Sequence, residues 1–436
     1  MSTVSHAKEI FSAALQAVQP ATVLPAYIQF EGHWLIINKK KYLLKSGTRV
    51  FAIAIGKASI AMMDVVHKIL GDTIERSLVI TKSTYTTDVK NCTVIEGDHP
   101  VPGEKSVATA DSLLKFLGNV KSSDTILFLI SGGASSLVTD VPDALTFDDI
   151  QYTQKLLLLS GADISEFNTV RKQLSNLKGG KLIRYCNGAT IFSFIISDVA
   201  GNDISVIGSG LTAPDNSSIR DAIKVMEKYS LLNKIPLTVV DFLKHKAERQ
   251  PSVTYKTLFK NVKNIIVADN KMALQNAVKK ALELGYSIAN VNESMFGNTE
   301  AEAIKLVNEI KDYNGEQPAC FIAGGETTIE VKGNGRGGRN QHFALTMLVE
   351  LLKKYDKRNS FPIILAAGTD GTDGPTNAAG AIVDSSLADL IKKENIPVEK
   401  YLHDNDSFNF FDRTNRLFIT GPTQTNVMDI VIVLIE

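Results

Sequence analysis

Five apolar runs in this chain each stop at a cluster of glycine, serine or aspartate: residues 50–55, 125–130, 189–196, 319–323 and 363–367. None alternates with polar residues, which is the pattern of strands buried on both faces. Helical periodicity occupies most of the chain between them, as at Ile60, Met63, Val66 and Leu70. Strands alternating with helices dictate an α/β fold with a parallel sheet and crossover helices. In such sheets ligands bind in the crevice beyond the carboxyl ends of the strands. The strand-ending loops are therefore where chemistry is expected.

The chain has 436 residues, which suggests two or three domains. The charged stretch at 246–257 lacks periodicity, so a junction is expected there, between an N-terminal domain (1–245) and a C-terminal domain (246–436). Lys plus Arg and Asp plus Glu both count 47, a balance that gives no reason to expect a nucleic-acid or membrane partner. The cysteines, Cys92, Cys186 and Cys320, form no CxxC pair, which argues for a reducing compartment and against a zinc site. No apolar run reaches the ~18 residues needed to cross a bilayer. Residues 1–26 read as an amphipathic helix without a signal-peptide core, so a cytoplasmic protein is expected.

The most informative stretch is 319–384. Its first apolar run stops at Gly324-Gly325-Glu326, and a second β-rich run is expected at 327–331. Then come Gly335, Arg336, Gly337, Gly338 and Arg339, and a helix beginning near Asn340 and running to Tyr355. Two guanidiniums at a helix N-terminus suit carboxylate or phosphate oxygens and oppose the helix dipole without an anion; the alternative is two surface arginines. A later loop, 368–376, holds Asp370 and Asp373, whose spacing suits Mg²⁺ but equally suits turn formation.

Three further loops carry candidates. Lys57 follows the first strand and opens a helix, so it either meets an anion or is a solvated lysine. Residues 131–136 (Ser131, Gly132, Gly133, Ala134, Ser135, Ser136) are either a backbone anion nest or a tight turn; they match neither a P-loop nor a nucleophile elbow. Asp198 and Asp203 flank Gly201 past another strand, as a base, a metal ligand or Asx turns. His99 and His342 are isolated and read as structural, and the aromatics at 408–411 as core.

Taken in order, these motifs resemble the class II glycerate 2-kinases, whose C-terminal part is the MOFRL region, here about 319–432. The resemblance rests on Gly56-Lys57-Ala58, residues 97–102, 130–136, the segment Arg171-Lys172-Gln173-Leu174-Ser175-Asn176-Leu177-Lys178, and Ile196-Ser197-Asp198-Val199. It continues through Gly324-Gly325-Glu326, 335–341, 368–376, Asn405-Asp406-Ser407 and 420–427. Gly133-Ala134-Ser135 and Gly210-Leu211-Thr212 depart from the family's Gly-Gly-Ser and Gly-Pro-Thr, and neither change removes a charge.

The resemblance implies two α/β domains, the first Rossmann-like, with the active site in the cleft between them. It implies transfer of the ATP γ-phosphoryl group to the 2-hydroxyl of D-glycerate with Mg²⁺. Lys57 and Arg339 match the family's active-site lysine and arginine. The remaining roles are our assignment: Asp198 as base, Asp370 and Asp373 on the metal side. Substrate or phosphate contacts are assigned to Ser131, Gly132, Gly133, Ser135, Ser136, Arg171, Lys178, Glu326, Gly335, Arg336, Gly337, Gly338 and Asn340. A homodimer is left open. Two rivals are a hydroxypyruvate reductase and a sugar-acid binding protein. The first needs a GxGxxG fingerprint after the first strand, which Gly56-Lys57-Ala58 does not supply. The second would bind ligand without turning over ATP.

Overall fold

The computed structural model describes residues 3–82, 91–248, 255–354 and 361–436. The chain forms two compact units, residues 24–267 and residues 1–23 with 268–436. The boundary therefore differs from the expected one at 246, because a strand at 262–268 joins the first unit's sheet and the N-terminal helix joins the second unit. Part of the expected junction, 249–254, lies outside the described residues.

Unit 24–267 opens with a small antiparallel sheet of β1 (Ile28–Glu31), β2 (Trp34–Ile37) and β3 (Lys40–Leu43). Its main sheet comprises β4 (Val50–Ile55), β5 (Ile74–Lys82), β6 (Cys92–Gly97), β7 (Thr125–Ile130), β8 (Thr190–Ile196) and β9 (Val262–Ala268). The spatial order is β6-β5-β4-β7-β8-β9, and the pairs from β6 through β8 are parallel. β4 and β7 are buried at every position, as their uninterrupted apolar runs require. The chain leaves β4 toward β5 on one side and returns to β7 on the other. Their carboxyl ends thus frame a topological switch point, where open α/β sheets place ligands. A separate helical layer, residues 147–173 and 219–248, encloses its own core around Leu157, Val170, Met226 and Val239.

The second unit is built on β10 (Ser287–Asn298), β11 (Ala319–Thr328), β12 (Ile363–Gly368), β13 (Gly380–Val383), β14 (Leu417–Phe418) and β15 (Asp429–Ile435). Their order is β10-β11-β15-β12-β13-β14, and β15 runs antiparallel to both neighbours. β11 is one continuous strand rather than two runs broken at Gly324-Gly325. Both glycines stay in register with β15, and Gly325 also pairs Met295 of β10. The N-terminal helix Thr3–Ala17 buries Ala7, Ile10, Phe11 and Ala14 within this unit, with Phe11 edge-on to Phe418 at 5.2 Å. The helix Arg339–Lys354 starts one residue earlier than expected; Tyr355 lies outside the described residues.

Candidate active site

In unit 24–267 the switch point is closed by hydrogen bonds between the two strand-end loops. The Lys57 N–H donates to Gly132 O at 2.9 Å, and the Ala58 N–H to Ser131 Oγ at 3.0 Å. The second bond gives the helix Ser59–Leu70 a cap from another strand, since its own Ala58 has no side-chain cap to offer. Gly133 adopts φ 87° in a crowded spot: a Cβ there would stand 3.0 Å from His99 and 3.4 Å from Lys57 Cγ. Lys57, His99 and the 131–136 loop are therefore one cluster. His99 lies two residues past β6, on the same sheet edge as the others, so the strand-end rule applied to every strand would have found it. Ser135 Oγ sits 2.6 Å from Ser209 Oγ, which in turn reaches Asn168 Oδ1 at 3.4 Å. Asp198 lies two residues past β8, partly buried. Asp203 accepts the Ser205 N–H at 2.8 Å, an Asx turn.

The segment 171–181 packs several cations close together. Lys172 pairs with Asp215 at 3.2 Å. Lys178, 2% exposed, donates to Val138 O at 2.5 Å. Burial, reinforced by the charge of Arg171, pushes its ammonium down to about 7. Lys181, also buried, donates to the carbonyls of Lys172 and Ser175, and burial lowers it to about 7 as well. Arg171 stacks over Phe167 at 5.3 Å, and burial lowers it to about 10.

In the other unit, the carboxyl ends of β11 and β12 flank the start of β15. Asp429 stands opposite Gly325 on one side and Gly368 on the other. Its buried carboxylate grips Arg339 side-on, Nε to Oδ2 at 2.5 Å and Nη2 to Oδ1 at 3.0 Å, while Nη1 meets Glu326 Oε1 at 2.8 Å. Burial alone would lower the guanidinium's pKa. Asp429 and Glu326 overcome that and hold it above its ordinary value. The anions that Arg339 needs at a helix start are thus supplied by the protein, and its remaining N–H groups are left for other partners.

Asp373 is 2% exposed and accepts the backbone N–H groups of Asn340 at 3.0 Å and Gln341 at 2.8 Å. The side-chain amides of the same residues donate to it as well. It is the cap of the Arg339–Lys354 helix. Gly338 makes this approach feasible, since a Cβ there would meet Asp373 Cγ at 2.3 Å. Asp370 Oδ1 accepts the Thr372 N–H at 3.0 Å. The expected Mg²⁺ pair therefore divides. The Asp373 oxygens are filled by nitrogen donors, and no group of three ligating side chains occurs among the described residues.

The glycine-rich loop also departs from expectation. The N–H groups of residues 332–336 donate to Asp404, Asn405 and Asp406, so Gly335 and its neighbours are strapped to 404–406 instead of forming a phosphate cradle. Arg336 is held too, over the Phe408 ring at 4.3 Å with two N–H groups on Pro375 O.

The two clusters fall in two segments that match known families. Residues 319–429 match the MOFRL family, and residues 6–244 match a domain of unknown function, DUF4147. A glycerate 2-kinase of Pyrococcus horikoshii is 33% identical over 428 residues, covering 97% of this chain and 95% of that one. A D-glycerate 2-kinase of Thermotoga maritima is 37% identical over 400 residues, covering 89% and 91%. The chain belongs to the glycerate 2-kinase family. A crystal structure of a Thermotoga maritima glycerate kinase superposes with a TM-score of 0.82 at 34% identity, covering 99% of each chain.

Within that family frame, ten of the sequence-derived candidates gather in two places. Lys57, Ser131, Gly132, Gly133, Ser135 and Ser136 form one cluster with His99 added, and Glu326, Arg339, Asn340 and Asp373 form the other with Asp429 added. The signal for Asp429 was a lone carboxylate heading a wholly apolar strand, 429–435.

Proposed function

We propose that the chain transfers the γ-phosphoryl group of ATP to the 2-hydroxyl of D-glycerate, giving 2-phospho-D-glycerate and ADP. The observation that carries this reading is the switch point between β4 and β7, with Lys57 and the 131–136 loop locked together at its mouth. It is the place where an α/β sheet binds phosphates, and the full-length likeness to glycerate 2-kinases names the chemistry. Phosphoryl transfer asks mainly for positioning and charge stabilisation. Lys57 supplies a cation and the 131–136 backbone supplies donors toward phosphate oxygens. Arg339 presents a guanidinium fixed by Asp429 and Glu326. Asp198 accepts the proton of the 2-hydroxyl as its oxygen attacks the γ-phosphorus and the bond to the bridging oxygen of ADP breaks.

Mg²⁺ bound with the nucleotide would supply positive charge to neutralise the phosphates. Asp370 is the protein-side candidate for it, and Asp373 is not, because its oxygens are already filled. The free cysteines suit a cytoplasmic setting, and no helix among the described residues is long and apolar enough to cross a membrane.

The test is a coupled ADP-release assay with ATP, Mg²⁺ and D-glycerate. ADP formed in step with glycerate consumed supports the reading. NADH oxidation with hydroxypyruvate, together with no ADP from ATP and glycerate, contradicts it.

A further inference from the structure

Several charged side chains packed into this molecule have an opposite charge beside them. Arg49 has Asp124 at 2.6 Å, Lys172 has Asp215, and Arg339 has two carboxylates. Arg171 is different. Among the described residues no carboxylate or carbonyl accepts a hydrogen bond from it, and its one close partner is the face of Phe167. Its charge bears on another cation, buried Lys178, whose ammonium donates to Val138 O. The nearby Asp140 carboxylate spends its oxygens on Ser175 Oγ and the Asn176 N–H. Asp140 offsets part of the charge on Lys178, and Arg171 has no such anion, so the two cations mark a candidate ligand site.

The surroundings say where that ligand would lie. Lys178 reaches Val138, immediately past the short helix Ala134–Leu137 of the 131–136 loop. Asn168, one helical turn before Arg171 and on the same face, connects through Ser209 to Ser135. Ser136, partly exposed, has a hydroxyl without a protein partner among the described residues. Arg171 is itself partly exposed, whereas Lys178 is buried.

We propose that Arg171 and Lys178, with the hydroxyls of Ser135 and Ser136, form a subsite for an oxyanion group: the carboxylate of the hydroxy acid or a phosphate of the nucleotide. Arg171 forms the mouth and can grip two oxygens side by side, while Lys178 adds a point charge from below. This assignment rests on the kinase reading for the identity of the anion, but not for the existence of the site. Burial that lowers both cations fits a site completed by an anion.

The experiment is calorimetric titration of the full chain with D-glycerate, with ATP and with inorganic phosphate, separately, for wild type, Arg171→Met and Arg171→Lys. Methionine can keep an apolar contact with Phe167 and removes the guanidinium with its charge and donors. Arg171→Met should weaken one class of anion by roughly 10- to 100-fold, the size of a lost charge-assisted bond. Its ligand-free melting temperature should stay level or rise, because an uncompensated cation is gone. A loss confined to D-glycerate identifies the carboxylate; a loss of ATP and phosphate together identifies the phosphoryl group. Arg171→Lys, which keeps the charge but not the fork, should fall between the two and serves if the methionine variant does not fold. Wild-type affinity for all three anions in both variants, or no binding of any of them by wild type, overturns the subsite. Because binding is read without turnover, a protein that binds through Arg171 yet releases no ADP keeps the subsite and loses the kinase reading. Turnover by Arg171→Met at wild-type KM does the reverse.

Discussion

Arg339 and Arg171 show two ways a folded chain can keep a guanidinium. Arg339 is a third exposed and has two carboxylates, one gripping it side-on and one at its other nitrogen, so it remains a fixed cation. Arg171 has an aromatic face, a neighbouring lysine and no anion among the described residues. The first arrangement is complete by itself, and its remaining donors act from a rigid base. The second, on our proposal, is completed by an anion from outside the chain. Charge counting along the sequence treats the two alike; the difference lies in which strand ends the fold brings beside each.

The largest effect should come from dismantling the complete pair. Asp429→Ala leaves Arg339 without its bidentate partner, and breaking such a pair costs about 3 kcal/mol. Urea melts read this directly, and a change under about 1 kcal/mol would mean that Asp429 contributes no more than an exposed ion pair does. Next is Arg339→Lys, which keeps the charge and loses the fork. It should lower kcat/KM on the order of 10²-fold, as for one fixed transition-state donor. Near-wild-type kinetics would reduce Arg339 to a point charge. Arg336→Lys should do far less to turnover. Its guanidinium is occupied by Phe408 and Pro375, so the expected loss is about 1 kcal/mol of stability. If Arg336→Lys is the worse enzyme, the two arginines have been assigned the wrong way round.

A smaller, pH-dependent effect sharpens the picture of the Arg339 cluster. Burial pushes Asp373 up to about 6, against its hydrogen bonds from Gln341 and Asn340. The unfolded chain has an ordinary aspartate near ~3.9. Between these values the folded state holds a proton that the unfolded state does not, so this residue's contribution to stability grows as pH falls from about 6 toward about 4. Above about pH 6 that contribution is absent. Asp373→Asn should remove this slope, as seen by comparing its denaturant midpoints with wild type at about pH 4.5 and about pH 7, on either side of the folded-state value. Parallel curves for the two proteins would show that Asp373 titrates normally.

The two regions also differ in how much of them could be read beforehand. Lys57 and the 131–136 loop were legible because β4 and β7 are uninterrupted apolar runs, and the strand-end rule points straight at the loops that leave their carboxyl ends. The Arg339 cluster was half legible. Arg336 and Arg339 stood out, but the anions that satisfy Arg339 come from β11 and from a strand 90 residues downstream. Local sequence cannot express that pairing. The same limit explains Asp373, which reads as a turn or metal residue until the helix it caps, 32 residues upstream, is beside it. The small β1–β3 sheet was missed because its strands have only four residues each and several exposed positions. The N-terminal helix announced its apolar face but not its partner, the helix Asn270–Glu283.

The central claim is that this chain phosphorylates the 2-hydroxyl of D-glycerate, and the position of the new phosphate tests it most directly. Purified protein, ATP, Mg²⁺ and D-glycerate should yield one ADP per product molecule, and phosphorus–proton coupling in the NMR spectrum should place the phosphate on C2. Phosphate on C3, or no phosphorylated product while hydroxypyruvate oxidises NADH, would contradict it.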